Sequence, residues 1–163
     1  MAATPSGGPV DASMHGKSST PIVPRDIDHI VLRVVDVTQM IAFYCDVLGC
    51  SMERDRRDIG LVQLRAGRSL VDLVPVDGPL GRAGGAAPGR EGRNLDHLCF
   101  RLATFDEHAI RVHLERAGIA TEPAAPRYGA EGHGPSLYVQ DPEGNTVELK
   151  GPPGPDPTGR TDA

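Results

Sequence analysis

The sequence predicts an α+β domain built from one strand–helix–three-strand unit written twice. Three observations carry this. The octets "IDHIVLRV" (27–34) and "LDHLCFRL" (95–102) share one order: apolar, Asp, His, apolar, apolar or Cys, apolar, Arg, apolar. A stretch with apolar residues at three- and four-residue spacing follows each octet, and short strand-like runs follow each stretch. The last runs, "LVDLV" (70–74) and "TVELK" (146–150), place Asp72 and Glu148 alike.

The elements follow in chain order. Each octet reads as a strand. In 36–49, Val37, Met40, Ile41, Tyr44, Val47 and Leu48 form one apolar face, with Asp36 or Thr38 to cap the start and Gly49 the left-handed stop. Strands are expected at 50–55, 59–65 and 69–75. The second helix spans 105–118, with Ile110, Leu114 and Ala117 as its stripe, Asp106 or Thr104 as cap and Gly118 as stop. Its strands are expected near 119–123, 135–140 and 145–150, the last two joined by the turn "DPEGN" (141–145). The histidines of the octets are 68 apart and the carboxylates 76 apart. Eight extra residues in the second half are expected near the Gly-rich "YGAEGHG" (128–134). Module one is therefore 26–77 and module two 95–150, joined by a Gly/Pro/Ala linker over 78–94. Residues 1–25 and 151–163, rich in small residues and proline, read as disordered tails.

Bulk properties narrow the function. Net charge is −5, the isoelectric point is about 5.6, and no long Lys/Arg run is present, which argues against a nucleic-acid partner. No apolar run approaches membrane-spanning length, so no membrane role is expected. Three cysteines, no CxxC and no secretory leader pattern point to a reduced, cytoplasmic setting.

Strand alternation puts His29, Val31 and Arg33 on the face away from the helix, and likewise His97, Cys99 and Arg101. Asp72 and Glu148 sit between apolar neighbours, where an unpaired charge is costly. Two imidazoles and two carboxylates at matched positions make a divalent metal, Zn, Ni, Mn or Fe, the economical explanation. Arg33 and Arg101 face the same way and suit an anionic substrate group, although reaching out to solvent is as good a reading. Cys99 shares the His97 face and reads first as a small packed thiol. His133 falls in the Gly-rich loop as a lid candidate or a plain surface residue, while His108, His113 and His15 read as surface or tail residues.

"DHIVLRV", "FYCDVLGC", "DHLCFRL" and "LYVQDPEGNTVEL" together resemble the vicinal-oxygen-chelate superfamily. That group includes glyoxalase I, extradiol dioxygenases, methylmalonyl-CoA epimerase, and the fosfomycin- and bleomycin-resistance proteins. The resemblance spans roughly residues 26–150. It implies two βαβββ modules paired into a curved, mixed eight-stranded sheet with helices outside, and metal ligands at His29, Asp72, His97 and Glu148. Asp72 departs from the family, which more often carries Glu, Gln or His there. The resemblance further implies a homodimer and a small substrate with adjacent oxygens. In a glyoxalase-like lyase or isomerase the metal polarises a carbonyl, and Glu148 moves a proton between neighbouring carbons. Two other readings stay open. In a ring-cleaving dioxygenase His29, His97 and Glu148 would hold Fe(II), and Tyr138 would match the active-site Tyr of the extradiol signature. In a non-catalytic binding or resistance protein no metal is needed.

Overall fold

The computed structural model describes residues 21, 24–91 and 95–155. Most of the expected N-terminal tail, His15 included, and the end of the C-terminal one lie outside the described residues. The first module runs β1 (His29–Val34), α1 (Val37–Ala42), β2 (Ser51–Arg56), β3 (Leu61–Ala66) and β4 (Ser69–Pro75). The second runs β5 (His97–Arg101), α2 (Glu107–Arg116), β6 (Ala125–Gly129), β7 (Gly132–Gln140) and β8 (Thr146–Lys150). Each module is one four-stranded mixed sheet, ordered β1-β4-β3-β2 and β5-β8-β7-β6, in which the first and last strands of the unit pair parallel and the others antiparallel. The twofold βαβββ class read from the octets is therefore the fold.

Local chemistry explains both helix boundaries. Asp36 and Asp106, rather than the neighbouring threonines, accept hydrogen bonds from the backbone N–H of Gln39 (2.9 Å) and Ala109 (3.0 Å). Gly49 and Gly118 take φ of +75°, a conformation that closes a helix at no steric cost in glycine. The first helix is not regular to its end. Over Phe43–Val47 it widens into a π-turn, with Leu48 N–H bonded to Phe43 O at 3.1 Å. The wider turn buries Phe43 beside Tyr44, a side chain that 3.6-residue spacing leaves off the apolar face.

Three expectations need correction. The sixth strand is Ala125–Gly129, not 119–123. "YGAEGHG" is not a loop but the tight β6–β7 hairpin, so His133 lies in β7, opposite Tyr128, with ring centroids 5.2 Å apart. Ala117 is exposed, and Ile119 packs on the core in its place. The extra length was expected in the right part of the chain. Helix caps Asp36 and Asp106 are 70 apart, whereas the register-matched Gln63 and Tyr138 are 75 apart, so most of it falls between α2 and mid-β7.

One apolar core serves both modules: Leu32, Val34, Met40, Tyr44, Leu64 and Leu73 from the first cluster with Leu114, Leu137, Val147 and Leu149 from the second. Tyr44 ties them together. Its ring meets Phe100 of β5 edge-on at 6.3 Å, and its hydroxyl donates to the buried Asp141 carboxylate at 3.1 Å. Burial and the Asp141 charge push the phenol far above its ordinary pKa. Asp141 also accepts from the backbone N–H of Glu143 and Asn145 and from the Asn145 amide, which fixes the turn. Glu143 Oε1 then accepts from Val35 N–H (2.6 Å) and Asp36 N–H (2.8 Å) at the entry to α1. Between helices, a His113 imidazole nitrogen meets Val47 O at 2.8 Å.

The linker is anchored as well. The Arg33 guanidinium donates to the carbonyls of Gly81, Gly85 and Ala86, holding a short 3-10 turn over Gly81–Gly84. Beyond β8, Gly151 N–H bonds to Pro135 O and Gly154 N–H to His133 O, both at 2.8 Å. Among the described residues no helix is long and apolar enough to cross a membrane.

Tyr44→Phe keeps the packing but strips a buried carboxylate of one donor. It should lower unfolding free energy by about 1–3 kcal/mol. Chemical denaturation checks this, and an unchanged midpoint would show that Asp141 is satisfied without Tyr44.

Candidate functional site

The side chains singled out in the sequence lie on the open faces of the two sheets. In β1, Leu32 and Val34 point into the core while His29 and Val31 are exposed; in β5, His97 and Cys99 are exposed and Leu98 and Phe100 turn inward. Sheet register then builds the same rung twice. Val31, Asp72 and Gln63 stand side by side across β1, β4 and β3. Cys99, Glu148 and Tyr138 stand side by side across β5, β8 and β7. Each histidine sits two residues before its rung.

Both histidines are oriented the same way. His29 Nδ1 meets Asp28 Oδ1 and His97 Nδ1 meets Asp96 Oδ1, each at 2.7 Å. A carboxylate on Nδ1 favours the tautomer that leaves Nε2 free as a ligand. The Asp of each Asp-His pair therefore aims its histidine, a role visible in the repeated dipeptide and missed when the sequence was read for ligands alone. For His29, that bond and the nearby Asp72 charge raise the imidazole above its usual pKa.

The two carboxylates are 5% exposed each but differ in their partners. Asp72 accepts from the Gln63 amide on both oxygens, at 3.1 and 3.0 Å. Glu148 Oε2 lies 3.1 Å from His97 Nε2, and Glu148 Oε1 is buried with no hydrogen-bond partner. A neutral imidazole has one N–H, and both nitrogens of His97 face carboxylate oxygens. A divalent cation would answer His97 Nε2 and the unpartnered Glu148 oxygen together. The donor set therefore fits a divalent metal in the second module. Gln63 already occupies Asp72 in the first.

The four side chains form two half-sites rather than one cluster. Among the described residues no group of three or more His, Cys, Asp or Glu is arranged to hold a metal ion. Around the second half-site, the Tyr138 ring meets His97 edge-on at 5.7 Å, and burial and the Glu148 charge raise its phenol. The same two causes push the Cys99 thiol up to about 11, so it stands there uncharged at neutral pH. Arg101 pairs with Glu131, Arg33 is engaged by the linker, and His133 packs on Tyr128. Two grooves among the described residues lie elsewhere. One of about 760 Å³ runs along α2 past Glu107, Arg111 and Thr121, and an apolar one of about 290 Å³ separates Leu48 from Ile110.

Comparison with known proteins agrees with the fold. A curated relative, Virulence protein STM3117 of Salmonella typhimurium, is 29% identical over 140 residues, spanning 83% of this chain and 89% of that protein. Its crystal structure superposes with a TM-score of 0.65 at 28% identity, covering 81% of this chain and all of the other. A lactoylglutathione lyase from Agrobacterium tumefaciens gives a TM-score of 0.57 at 26% identity, covering 78% and 94%. TnmS3, an antibiotic-binding protein from Streptomyces sp. CB03234, shares the fold at 20% identity and a TM-score of 0.58, covering 81% and 99%. The model of the Glyoxalase/Bleomycin resistance protein/Dioxygenase superfamily matches residues 26–149, and together with the duplicated βαβββ modules it shows that this chain belongs to that superfamily.

Proposed function

We propose that the protein is a metal-dependent, glyoxalase-like lyase or isomerase acting on a small substrate with adjacent oxygens. The observation that carries the reading is the buried, unpartnered Oε1 of Glu148 beside His97. His97 and Glu148 are the firm ligands in this reading, His29 the third and Asp72 the fourth. A bound divalent ion, Zn, Ni, Mn or Fe, would supply Lewis-acid polarisation of a substrate carbonyl. Glu148 then takes a proton from the carbon beside that carbonyl and returns it to the neighbouring carbon. Its burial keeps competing water away from the carboxylate, and the two Asp–His pairs hold the imidazoles without further reorganisation.

The half-sites require a second copy in this reading. His29 and Asp72 of one chain face His97 and Glu148 of another in a homodimer, which also covers the exposed Val31 and Tyr138. A cytoplasmic location accords with the free thiols Cys45, Cys50 and Cys99.

Purified protein should carry about one divalent ion per chain, and a chelator should lower its melting temperature. Elemental analysis that finds no metal, with melts indifferent to chelator, would leave a metal-free binding protein instead. Chains carrying His29→Ala and His97→Ala, each metal-poor alone, should regain about a quarter of the wild-type metal when unfolded and refolded together, because half of the dimers are mixed and each mixed dimer has one intact site of two. No regain would place each site within one chain.

The dioxygenase alternative has its own readout. After anaerobic loading with Fe(II), catechol and air should give no yellow ring-cleavage product. Appearance of that product would replace the isomerase reading with extradiol chemistry at His29, His97 and Glu148.

A further inference from the structure

We infer that the open face of the second sheet carries an oxyanion-binding subsite beside Glu148, formed by Lys150 and Ser136 over Gly129. It would take the carboxylate or phosphate end of a small substrate. Its role as a substrate subsite rests on the reading above, whereas anion binding itself does not require the metal.

Lys150 is 8% exposed. The chain has one other lysine, Lys17, and every remaining cationic side chain is an arginine. The Lys150 ammonium donates to Arg127 O and Gly134 O, but among the described residues no carboxylate pairs with it. An ammonium has three donors, and two carbonyls leave both a donor and the charge unanswered. Directly opposite in register stands Ser136, 1% exposed, whose Oγ has no hydrogen-bond partner. Two buried donors with spare capacity on register-paired residues call for an acceptor, and an oxyanion has enough oxygens to answer both.

The backbone makes room for this arrangement. A Cβ at residue 129 would stand 2.7 Å from Lys150 Cε, so Gly129 lets the lysine stem lie across the sheet. On the other side Lys150 pairs in register with Arg101, whose bond to Glu131 keeps it at the rim. The Lys150 and Arg101 charges both reach Cys99, on the Glu148 rung. Lys150 lies two residues along β8 from Glu148, about 7 Å in a strand. That spacing fits a compact molecule whose anionic group is a few bonds from its paired oxygens.

The test uses the full chain, treated with chelator after its metal content has been measured, and carrying isotope-labelled lysine. With two lysines, Lys150→Met assigns the two signals. Glycolate and inorganic phosphate are titrated separately against chloride at matched ionic strength. The subsite predicts a saturable shift of the Lys150 signal, none at Lys17, and roughly tenfold weaker binding in Ser136→Ala. Gly129→Ala, which displaces the stem and keeps the charge, should weaken binding similarly. A response to glycolate alone assigns a carboxylate, and one to phosphate alone assigns a phosphate. No saturable shift with either anion, a shift that chloride reproduces, or full affinity in Ser136→Ala overturns the subsite. Anion binding in protein that never held metal would sink the metal reading and leave the subsite standing; metal without anion binding would do the reverse.

Discussion

A carboxylate buried in the middle of a strand has to be answered by something, and this fold contains two at matching places. Asp72 and Glu148 each sit on the strand that pairs parallel with the histidine strand, flanked by core residues Val71 and Leu73 or Val147 and Leu149. Alternation forces them onto the face opposite the core. Desolvating a carboxylate costs several kcal/mol unless hydrogen bonds or opposite charge offset it. The neighbours on each rung are that answer, and they make the open faces chemically different from the rest of the surface.

The answers differ between modules. On the first rung Gln63 spans both oxygens of Asp72, and the shorter side chain keeps the carboxylate close to the sheet. On the second rung Tyr138 replaces Gln63 and Cys99 replaces Val31, and neither fully satisfies Glu148. The two modules hold equivalent positions, and their different neighbours leave one carboxylate engaged on both oxygens and the other with one oxygen unpartnered. An unpartnered oxygen beside an oriented imidazole has lone pairs to offer a ligand, whereas both oxygens of Asp72 are already engaged by Gln63.

Much of this was legible in the sequence, because period-two strands and Asp-capped helices leave local signals. The octets, Asp36, Asp106, Gly49 and Gly118 needed no tertiary information. The sixth strand was not legible, because Pro126 and the glycines around it argue for a loop. β6 is an edge strand, where a missing N–H need cost nothing, and Gly132 with φ of +104° closes the hairpin. Nor does spacing reveal the π-turn that buries Phe43 beside Tyr44. The ties between modules, Tyr44 to Asp141 and Glu143 to the start of α1, span about a hundred residues of chain and leave no periodic trace. The repeat marks the two histidines and two carboxylates as equivalent positions, and the strands place them on the open faces. It does not mark Lys150, because the first module has no counterpart: Val74 holds that place.

Those ties also bear on how the site is held. The "DPEGN" turn follows β7, which carries Tyr138, and leads into β8, which carries Glu148. Asp141 fixes the turn internally and binds Tyr44 of the other module, and Glu143 binds the entry to α1 one short loop after β1 and His29. A displacement of β8 would therefore strain the first helix, and the first helix packs on the sheet that bears Asp72. Each half-site is built by its own sheet, but the position of each depends on bonds made by the other module. The shared core fixes which way the two open faces point, so it governs whether two copies can bring His29 opposite Glu148.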